Sequence, residues 1–116
     1  MTKQHTEKEV IEKVISILKQ YKQEDFAFTS HYWFRIAQRD IEHEFLLKTF
    51  FQFEKIKLIE EDVLPKGDIG YDLYYEISNN RTLIIGVCPL KKLLFIHGIL
   101  RYRKWQSQLK RMRSGY

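Results

Sequence analysis

The stretch TLIIGVCPLKKLLFIHGILRY, residues 82–102, contains two apolar runs joined by a short link. Both runs are rich in β-branched and aromatic residues, which favour strands. Each run is apolar on both faces, as strands in the middle of a sheet are. Pro89 cannot donate a hydrogen bond to a neighbouring strand, so we expect the first strand to end there. The stretch therefore predicts two adjacent central strands.

Two runs further upstream change from helical spacing to period 2 and predict two more strands. KIKLIEEDV, residues 55–63, alternates lysines with apolar residues, as a strand at the edge of a sheet does. YDLYYEIS, residues 71–78, precedes Asn79 and Asn80, which suit a tight hairpin whose central residues need positive φ. Short connections between consecutive strands favour an antiparallel meander.

The first half of the chain has apolar residues at helical spacing and predicts three helices. Thr6 opens a capping-box pattern for the first helix. Thr29 or Ser30 suits the N-cap of the second helix, and Asp40 suits that of the third. The first and third predicted helices span residues 7–22 and 41–53.

A chain of 116 residues has the length of one domain, and a hydrophobic content of 44% is enough for a modest core. Helices followed by strands predict an α+β fold. We expect the N-terminal helices to pack on one face of a four-stranded antiparallel sheet, with a short basic helix at the C-terminus. The sequence thus predicts a single domain over residues 1–116.

Several classes of protein are not expected from the composition. The sequence has no run of about 18 apolar residues and no signal-peptide pattern, so we expect a cytoplasmic protein that does not enter a membrane. Cys88 is the single cysteine, which excludes an internal disulfide and favours a small core residue. The histidines lack the paired spacing of metal ligands, so we predict no metal centre and no cofactor.

Charge is distributed unevenly along the chain. Residues 1–76 carry 11 Lys and Arg against 15 Asp and Glu, a net of −4, whereas residues 77–116 carry 9 Lys and Arg and no acid, a net of +9. The segment RYRKWQSQLKRMR, residues 101–113, interleaves cations with aromatic rings, which favours contact with RNA. The alternative is a basic terminal helix that keeps the protein soluble. The predicted RNA-binding residues here are Tyr102, Arg103, Lys104, Trp105, Lys110, Arg111 and Arg113.

The segment TSHYWFRIAQRDI, residues 29–41, carries His31, Arg35 and Arg39 at intervals of four residues. With about 100° of rotation per helical residue, the three side chains fall within one arc of roughly 100°. Apolar residues occupy the rest of the helix and are expected to fasten it to the core. By geometry alone the arc is either a solvated polar face or a surface that binds a ligand.

The pattern T-x-H-x3-R-x3-R-x-I of this segment resembles the S-x-H-A-x-x-R-M-x-x-R-G-I opening of a family of small prokaryotic proteins. That family is similar to the BrnT and RelE toxins, within the barnase, EndoU, colicin and RelE group of ribonucleases. The resemblance covers about residues 26–103, with Tyr32 in place of the usual alanine and Asp40 in place of the usual glycine. It implies a RelE/BrnT-like domain, a toxin-type endoribonuclease and a cognate antitoxin protein.

Metal-independent RNA cleavage needs a base for the 2′-hydroxyl, cations for the phosphorane and an acid for the departing 5′-oxygen. Histidine suits both proton transfers, and the forked guanidinium of arginine suits the phosphate. We predict that His31 acts as acid or base and that Arg35 and Arg39 hold the phosphate. His97 and Arg101 share a strand face by period 2 and are predicted to complete the site.

Three functions from different classes agree with the sequence. The first is the toxin-type endoribonuclease, the second is a non-catalytic nucleic-acid-binding module of the same fold, and the third is a protein-interaction domain whose basic tail docks an acidic partner. Individual residues have structural alternatives too. His97 can be a hydrogen-bonded core histidine, and Arg39 can pair with Asp40 or Glu42.

Overall fold

The computed structural model describes residues 2–109, which form three α-helices and six strands. The elements are β1 (Lys3–His5), α1 (Lys8–Leu18), β2 (Phe26–Phe28), α2 (Ser30–Gln38), α3 (His43–Phe50), β3 (Ile56–Val63), β4 (Ile69–Ser78), β5 (Arg81–Pro89) and β6 (Leu93–Arg101). The six strands join one sheet in the order β1-β3-β4-β5-β6-β2. The predicted α+β class is therefore confirmed. No helix in residues 2–109 is long and apolar enough to cross a membrane.

The predicted four-stranded antiparallel sheet is wrong, because two short strands add to its edges. β1 pairs antiparallel with β3, which places Gln4 opposite Glu60. β2 pairs parallel with β6, which places Ala27 opposite Leu94 and makes the sheet mixed. β3 is consequently an interior strand and not the edge strand that its alternating lysines predicted. Each added strand has three residues, too few for a period of 2 to show in the sequence.

The central hairpins follow the sequence closely. β4 and β5 are antiparallel neighbours, and Asn79 and Asn80 form the turn between them, as predicted. Neither asparagine has positive φ, so that part of the prediction is wrong. A register shift between Glu76 and Ser78 adjoins this turn instead. β5 ends at Pro89, as expected for a residue that cannot donate to the ladder.

The helices are shorter than predicted, and one of their three expected caps is present. The Thr29 hydroxyl accepts a hydrogen bond from the backbone N–H of Tyr32 at 3.0 Å and caps α2. The N-cap of α1 is Glu7, without a side-chain hydrogen bond, so the capping box predicted at Thr6 is wrong. Asp40 does not cap α3 either. It has φ 57° and follows the end of α2, while Glu42 takes the N-cap position of α3.

The three helices pack on one face of the sheet, as predicted. Side chains from all three join one buried cluster with residues of β3, β4, β5 and β6, and partly buried Phe26 and Phe28 of β2 pack against it. Fully buried members include Leu18, Tyr32, Leu46, Phe50, Leu73, Tyr75, Ile85 and Phe95. Cys88 is also buried, as expected for a small interior residue.

The opposite face of the sheet carries a smaller apolar cluster of Leu58, Tyr74 and Ile84. Trp105 and Leu109 pack against it, so the chain after β6 folds back over this face. Within the described residues the predicted C-terminal helix is only a 3-10 turn, Trp105–Gln108, and residues 110–116 lie outside the described part. The sheet thus has one face under the helices and one partly covered face.

Candidate nucleic-acid interface

The exposed face of α2 brings three polar side chains into contact. Nε of Arg35 donates to Nε2 of His31 at 3.4 Å, and Nη1 of Arg35 donates to Oε1 of Gln38 at 3.0 Å. The buried face of the same helix is formed by Tyr32 and Ile36. Because the apolar face anchors the helix, the guanidinium of Arg35 stays beside the imidazole of His31 at the surface. We call His31, Arg35 and Arg39 the α2 row.

Arg39 links the α2 row to the sheet. Its Nη1 donates to the backbone oxygen of Gly98 in β6 at 3.0 Å. Partial burial lowers the pKa of Arg39, and the positive charges of Arg35 and Arg101 lower it further. The charges of Arg35 and Arg101 therefore act on Arg39 where α2 meets β6, a region that we call the junction.

The positive charge of this junction is not balanced by acidic side chains. Within residues 2–109, no carboxylate forms a salt bridge with Arg35, Arg39 or Arg101. The expected alternative, a pair between Arg39 and Asp40 or Glu42, is therefore wrong. An uncompensated group of cations attracts polyanions, and guanidinium groups bind phosphate through two parallel hydrogen bonds. The junction is accordingly suited to a phosphodiester chain.

Phe34 departs from the expectation that the apolar residues of α2 fasten the helix. The side chain of Trp33 is 45% exposed and that of Phe34 is 61% exposed. Phe34 lies three residues after His31, hence on the exposed side of the helix, and its ring centroid is 6.0 Å from the guanidinium carbon of Arg35. Sequence reasoning assigned Phe34 to the core, although its spacing from His31 indicated the polar face.

His97 lies on the other face of the sheet. A Cβ added to Gly98 would lie 2.4 Å from Leu46 in α3, so position 98 faces the helices and position 97 faces away from them. Pairing jumps from Gly86 opposite His97 to Val87 opposite Phe95, which leaves Ile96 as an extra residue in β6. This bulge reverses the face on which His97 would lie if strict period 2 continued from Phe95.

The contacts of His97 also separate it from the α2 row. Its Nε2 is 3.1 Å from Oδ1 of Asp72 in β4. Its Nδ1 is buried and has no hydrogen-bond partner among the described residues. Arg101 shares the face of His97, as period 2 predicted, and donates to Oε1 of Gln108 at 2.6 Å. Arg101 nevertheless lies at the end of β6, where its charge reaches Arg39.

A cavity of about 200 Å³ lies beside His97. Its polar lining includes Glu60, Asp62 and Asp72. Glu60 accepts hydrogen bonds from the Tyr74 hydroxyl at 2.8 Å and from Nε2 of Gln4 at 2.6 Å. Because three carboxylates would repel a phosphate, this cavity does not suit nucleic acid. The cationic junction, which is a surface and not a cavity, suits it better.

The basic segment after β6 is described only in part. Tyr102 is 74% exposed, and the guanidinium carbon of Arg81 lies 5.6 Å from its ring centroid. Trp105 packs on the apolar cluster of the sheet, so its ring is less free to stack than predicted. The side chains of Arg103 and Lys104 are exposed. The remaining predicted RNA-binding residues, Lys110, Arg111 and Arg113, lie outside the described residues.

The junction of α2 and β6 combines an imidazole, which can transfer protons near neutral pH, with guanidinium groups, which hold phosphate. Among residues 2–109, no group of three or more His, Cys, Asp or Glu side chains is arranged to hold a metal ion. The imidazole and the guanidinium groups at this junction can supply proton transfer and anion binding. Compared with known proteins, the chain matches no protein-family model, no curated protein and no solved structure.

Proposed function

We propose that this protein is a metal-independent endoribonuclease of the toxin type that acts on RNA in the cytoplasm. The observation that carries the proposal is the contact between His31 and Arg35 on the exposed face of α2. Arg39 and Arg101 add positive charge at the same junction. No other group of described residues combines a surface histidine with uncompensated arginines.

In the proposed reaction, Arg35 and Arg39 bind the non-bridging oxygens of the scissile phosphate. The 2′-oxygen attacks phosphorus, the bond to the 5′-oxygen breaks, and the products carry a 2′,3′-cyclic phosphate and a 5′-hydroxyl. His31 makes one of the two proton transfers, either taking the proton from the 2′-hydroxyl or giving one to the departing 5′-oxygen, and water makes the other. We assign no proton transfer to His97, because it lies across the sheet and beside Asp72.

The local geometry at Asp40 supports the resemblance to BrnT and RelE toxins. Asp40 has φ 57°, a conformation that glycine adopts without strain. The family pattern has glycine at this position, directly before the Ile41 equivalent. The resemblance further implies a cognate antitoxin protein, which would cover the cationic junction with acidic side chains.

The test is incubation of purified protein with total cellular RNA in excess EDTA, followed by analysis of fragment ends. We expect fragments that end in 2′,3′-cyclic phosphate. His31→Ala should slow cleavage by about 10²- to 10⁴-fold because it removes the proton-transfer group. Arg35→Ala should slow cleavage by roughly 100-fold or more because it removes charge stabilisation of the phosphorane.

Lys91→Ala is the matched control, since it removes one positive charge from an exposed residue in the turn between β5 and β6. Its cleavage rate should stay close to that of the unaltered protein. Equal loss in all three variants would show a general charge effect and contradict the assigned site. Cleavage by His31→Ala at the rate of the unaltered protein would contradict the proton-transfer role.

A non-catalytic RNA-binding module is the second candidate, favoured by one observation. The α2 row contains one histidine, and the second predicted proton-transfer group, His97, lies on the other face of the sheet. This candidate predicts intact RNA under all conditions, with binding that weakens when Arg35 or Arg39 is replaced and falls steeply with salt. Absence of RNA binding at low salt would instead favour the protein-interaction domain.

A further inference from the structure

Phe34 is the most exposed large apolar side chain among the residues of α2. Single exposed apolar residues are common on protein surfaces, so exposure alone indicates nothing. The position of Phe34 is more informative, because its ring adjoins Arg35 and lies one helical turn from both His31 and Gln38. The aromatic ring is therefore part of the same surface as the polar side chains of the candidate site.

The fold does not depend on this ring. Phe34 is absent from both buried clusters and from the side chains packed against them. Its neighbour Trp33 differs, since the Trp33 ring contacts Phe28, Tyr32 and His43 at centroid distances of 5.7, 5.2 and 4.6 Å. A structural role accounts for Trp33 and leaves Phe34 unexplained.

We propose that Phe34 stacks on an unpaired base of the bound RNA and thereby restricts the site to single-stranded substrate. The inference rests on the proposed function of the α2 row. The guanidinium carbon of Arg35 is 6.0 Å from the Phe34 centroid, and Nε of Arg35 is 3.4 Å from Nε2 of His31. A nucleotide whose base stacks on the ring therefore has Arg35 and His31 close by, as partners for its phosphate and its ribose.

Charge and shape both favour a nucleotide as the occupant. The cations beside the ring attract phosphate, and every base has a flat face that stacks on an aromatic ring. In a duplex the faces of each base are covered by its neighbours, so a protruding surface ring reaches only splayed bases. A purely apolar partner would leave the guanidinium groups of Arg35 and Arg39 without counter-charge.

The experiment compares Phe34→Leu, which keeps an apolar side chain of good helix propensity, with Phe34→Tyr, which keeps the ring. Binding is measured with 2′-O-methyl RNA, which cannot be cleaved by 2′-oxygen attack, as a single strand and as a duplex. The unaltered protein and Phe34→Tyr should prefer the single strand. Phe34→Leu should bind it about tenfold or more weakly, as expected for a lost stacking contact. A 2-aminopurine base in the strand should be quenched by the ring-containing forms only.

The outcomes separate this inference from the proposed function. Equal binding of the single strand by Phe34→Leu and the unaltered protein, together with RNA cleavage, overturns the stacking role and leaves the ribonuclease in place. Weaker binding by Phe34→Leu without any cleavage supports stacking in a non-catalytic module. Absence of binding to either RNA by every variant overturns both proposals.

Discussion

Gly86 lies between Asp72 and His97 in adjacent strands, and its lack of a side chain lets the two residues meet. The sequence placed His97 on a strand but did not identify Asp72 as its partner, because period 2 gives the face of a residue and not the register between strands. A glycine within an apolar strand was the available signal, since it often marks a close approach of neighbouring groups.

Replacement of Gly86 by alanine should destabilise the protein. The new Cβ would lie 2.5 Å from Nε2 of His97 and 3.0 Å from Oδ1 of Asp72, so both side chains would have to move. We expect a loss of about 1–3 kcal/mol in the free energy of unfolding, the usual range for overpacking. Urea denaturation would measure it.

A double-mutant cycle with His97→Ala provides the control. Removal of the imidazole makes room for the added methyl group, so Gly86→Ala should cost less in that background. Equal costs in the two backgrounds would show that the crowding at His97 is not the cause of the loss.

The residues of the α2 row were predictable because helical spacing is a local property of the sequence. The contact of Arg39 with Gly98 was not, since it joins elements 59 residues apart. The position of His97 outside this site could not be predicted either, because it depends on pairing between distant residues. The residues around Ile96 do not indicate a bulge. It is defined only by the pairing of β6 with β5.

At the scale of the element, the end of α2 is fixed by backbone hydrogen bonds. The N–H of Asp40 donates to the oxygen of Ala37 at 3.2 Å, and the N–H of Ile41 donates to that of Ile36 at 2.9 Å. These two bonds, with the positive φ of Asp40, form a Schellman motif. The motif turns the chain toward α3 and sets the direction in which Arg39, directly before it, leaves the helix.

Substitutions at Asp40 should rank by their tolerance of positive φ. Asp40→Gly should be at least as stable as the unaltered protein, because glycine has no Cβ to clash in the left-handed region. Asp40→Val should lose about 1–2 kcal/mol in the free energy of unfolding, because a β-branched residue is strained there. Thermal or urea unfolding would compare the two variants. A valine variant as stable as the glycine variant would contradict the assigned conformation.

The edge strands β1 and β2 show why strands of three residues are not predictable from the sequence. The sequence assigned neither FAF, residues 26–28, nor KQH, residues 3–5, to a strand. Each becomes a strand only because a longer strand offers it unpaired backbone groups. The long runs that form β3 to β6 were predicted, since their composition and period favour strands without help from distant residues.

At the scale of the whole molecule, the sheet separates two chemical environments. On the helix-covered side, the α2 row carries positive charge and reaches β6 through Arg39, on which the charge of Arg101 also acts. The other face carries the acidic cavity beside Asp72 and His97. The sequence showed that positive and negative charges are unevenly distributed along the chain. In the fold, the α2 row is a positively charged surface, and the cavity beside His97 is lined by carboxylates.

Burial of Tyr75 should make the stability of the protein decrease at alkaline pH. Burial raises the pKa of Tyr75 well above its ordinary value, and the charge of Glu54 raises it further. The folded protein therefore keeps the phenolic proton at a pH where the unfolded chain releases it. The free energy of unfolding should then fall as pH rises above about 10, with a slope of up to 1.4 kcal/mol per pH unit for this residue.

Tyr75→Phe should make this dependence shallower, because phenylalanine does not ionise. It also removes the hydrogen bond from the Tyr75 hydroxyl to the oxygen of Phe50, so stability at neutral pH should fall by about 1 kcal/mol. Urea unfolding at pH 7, 10 and 11 would measure both effects. An unchanged slope in the phenylalanine variant would show that Tyr75 does not govern the alkaline transition.

The parallel pairing of β2 with β6 has a consequence for synthesis on the ribosome. The backbone and hydroxyl of Thr29, at the start of α2, both donate to the oxygen of Phe95, 66 residues later. Since such distant contacts form late, α2 docks on the sheet only after most of the chain has been translated. A nascent or truncated chain that lacks β6 would therefore carry the side chains of the α2 row without the junction that gathers their charge.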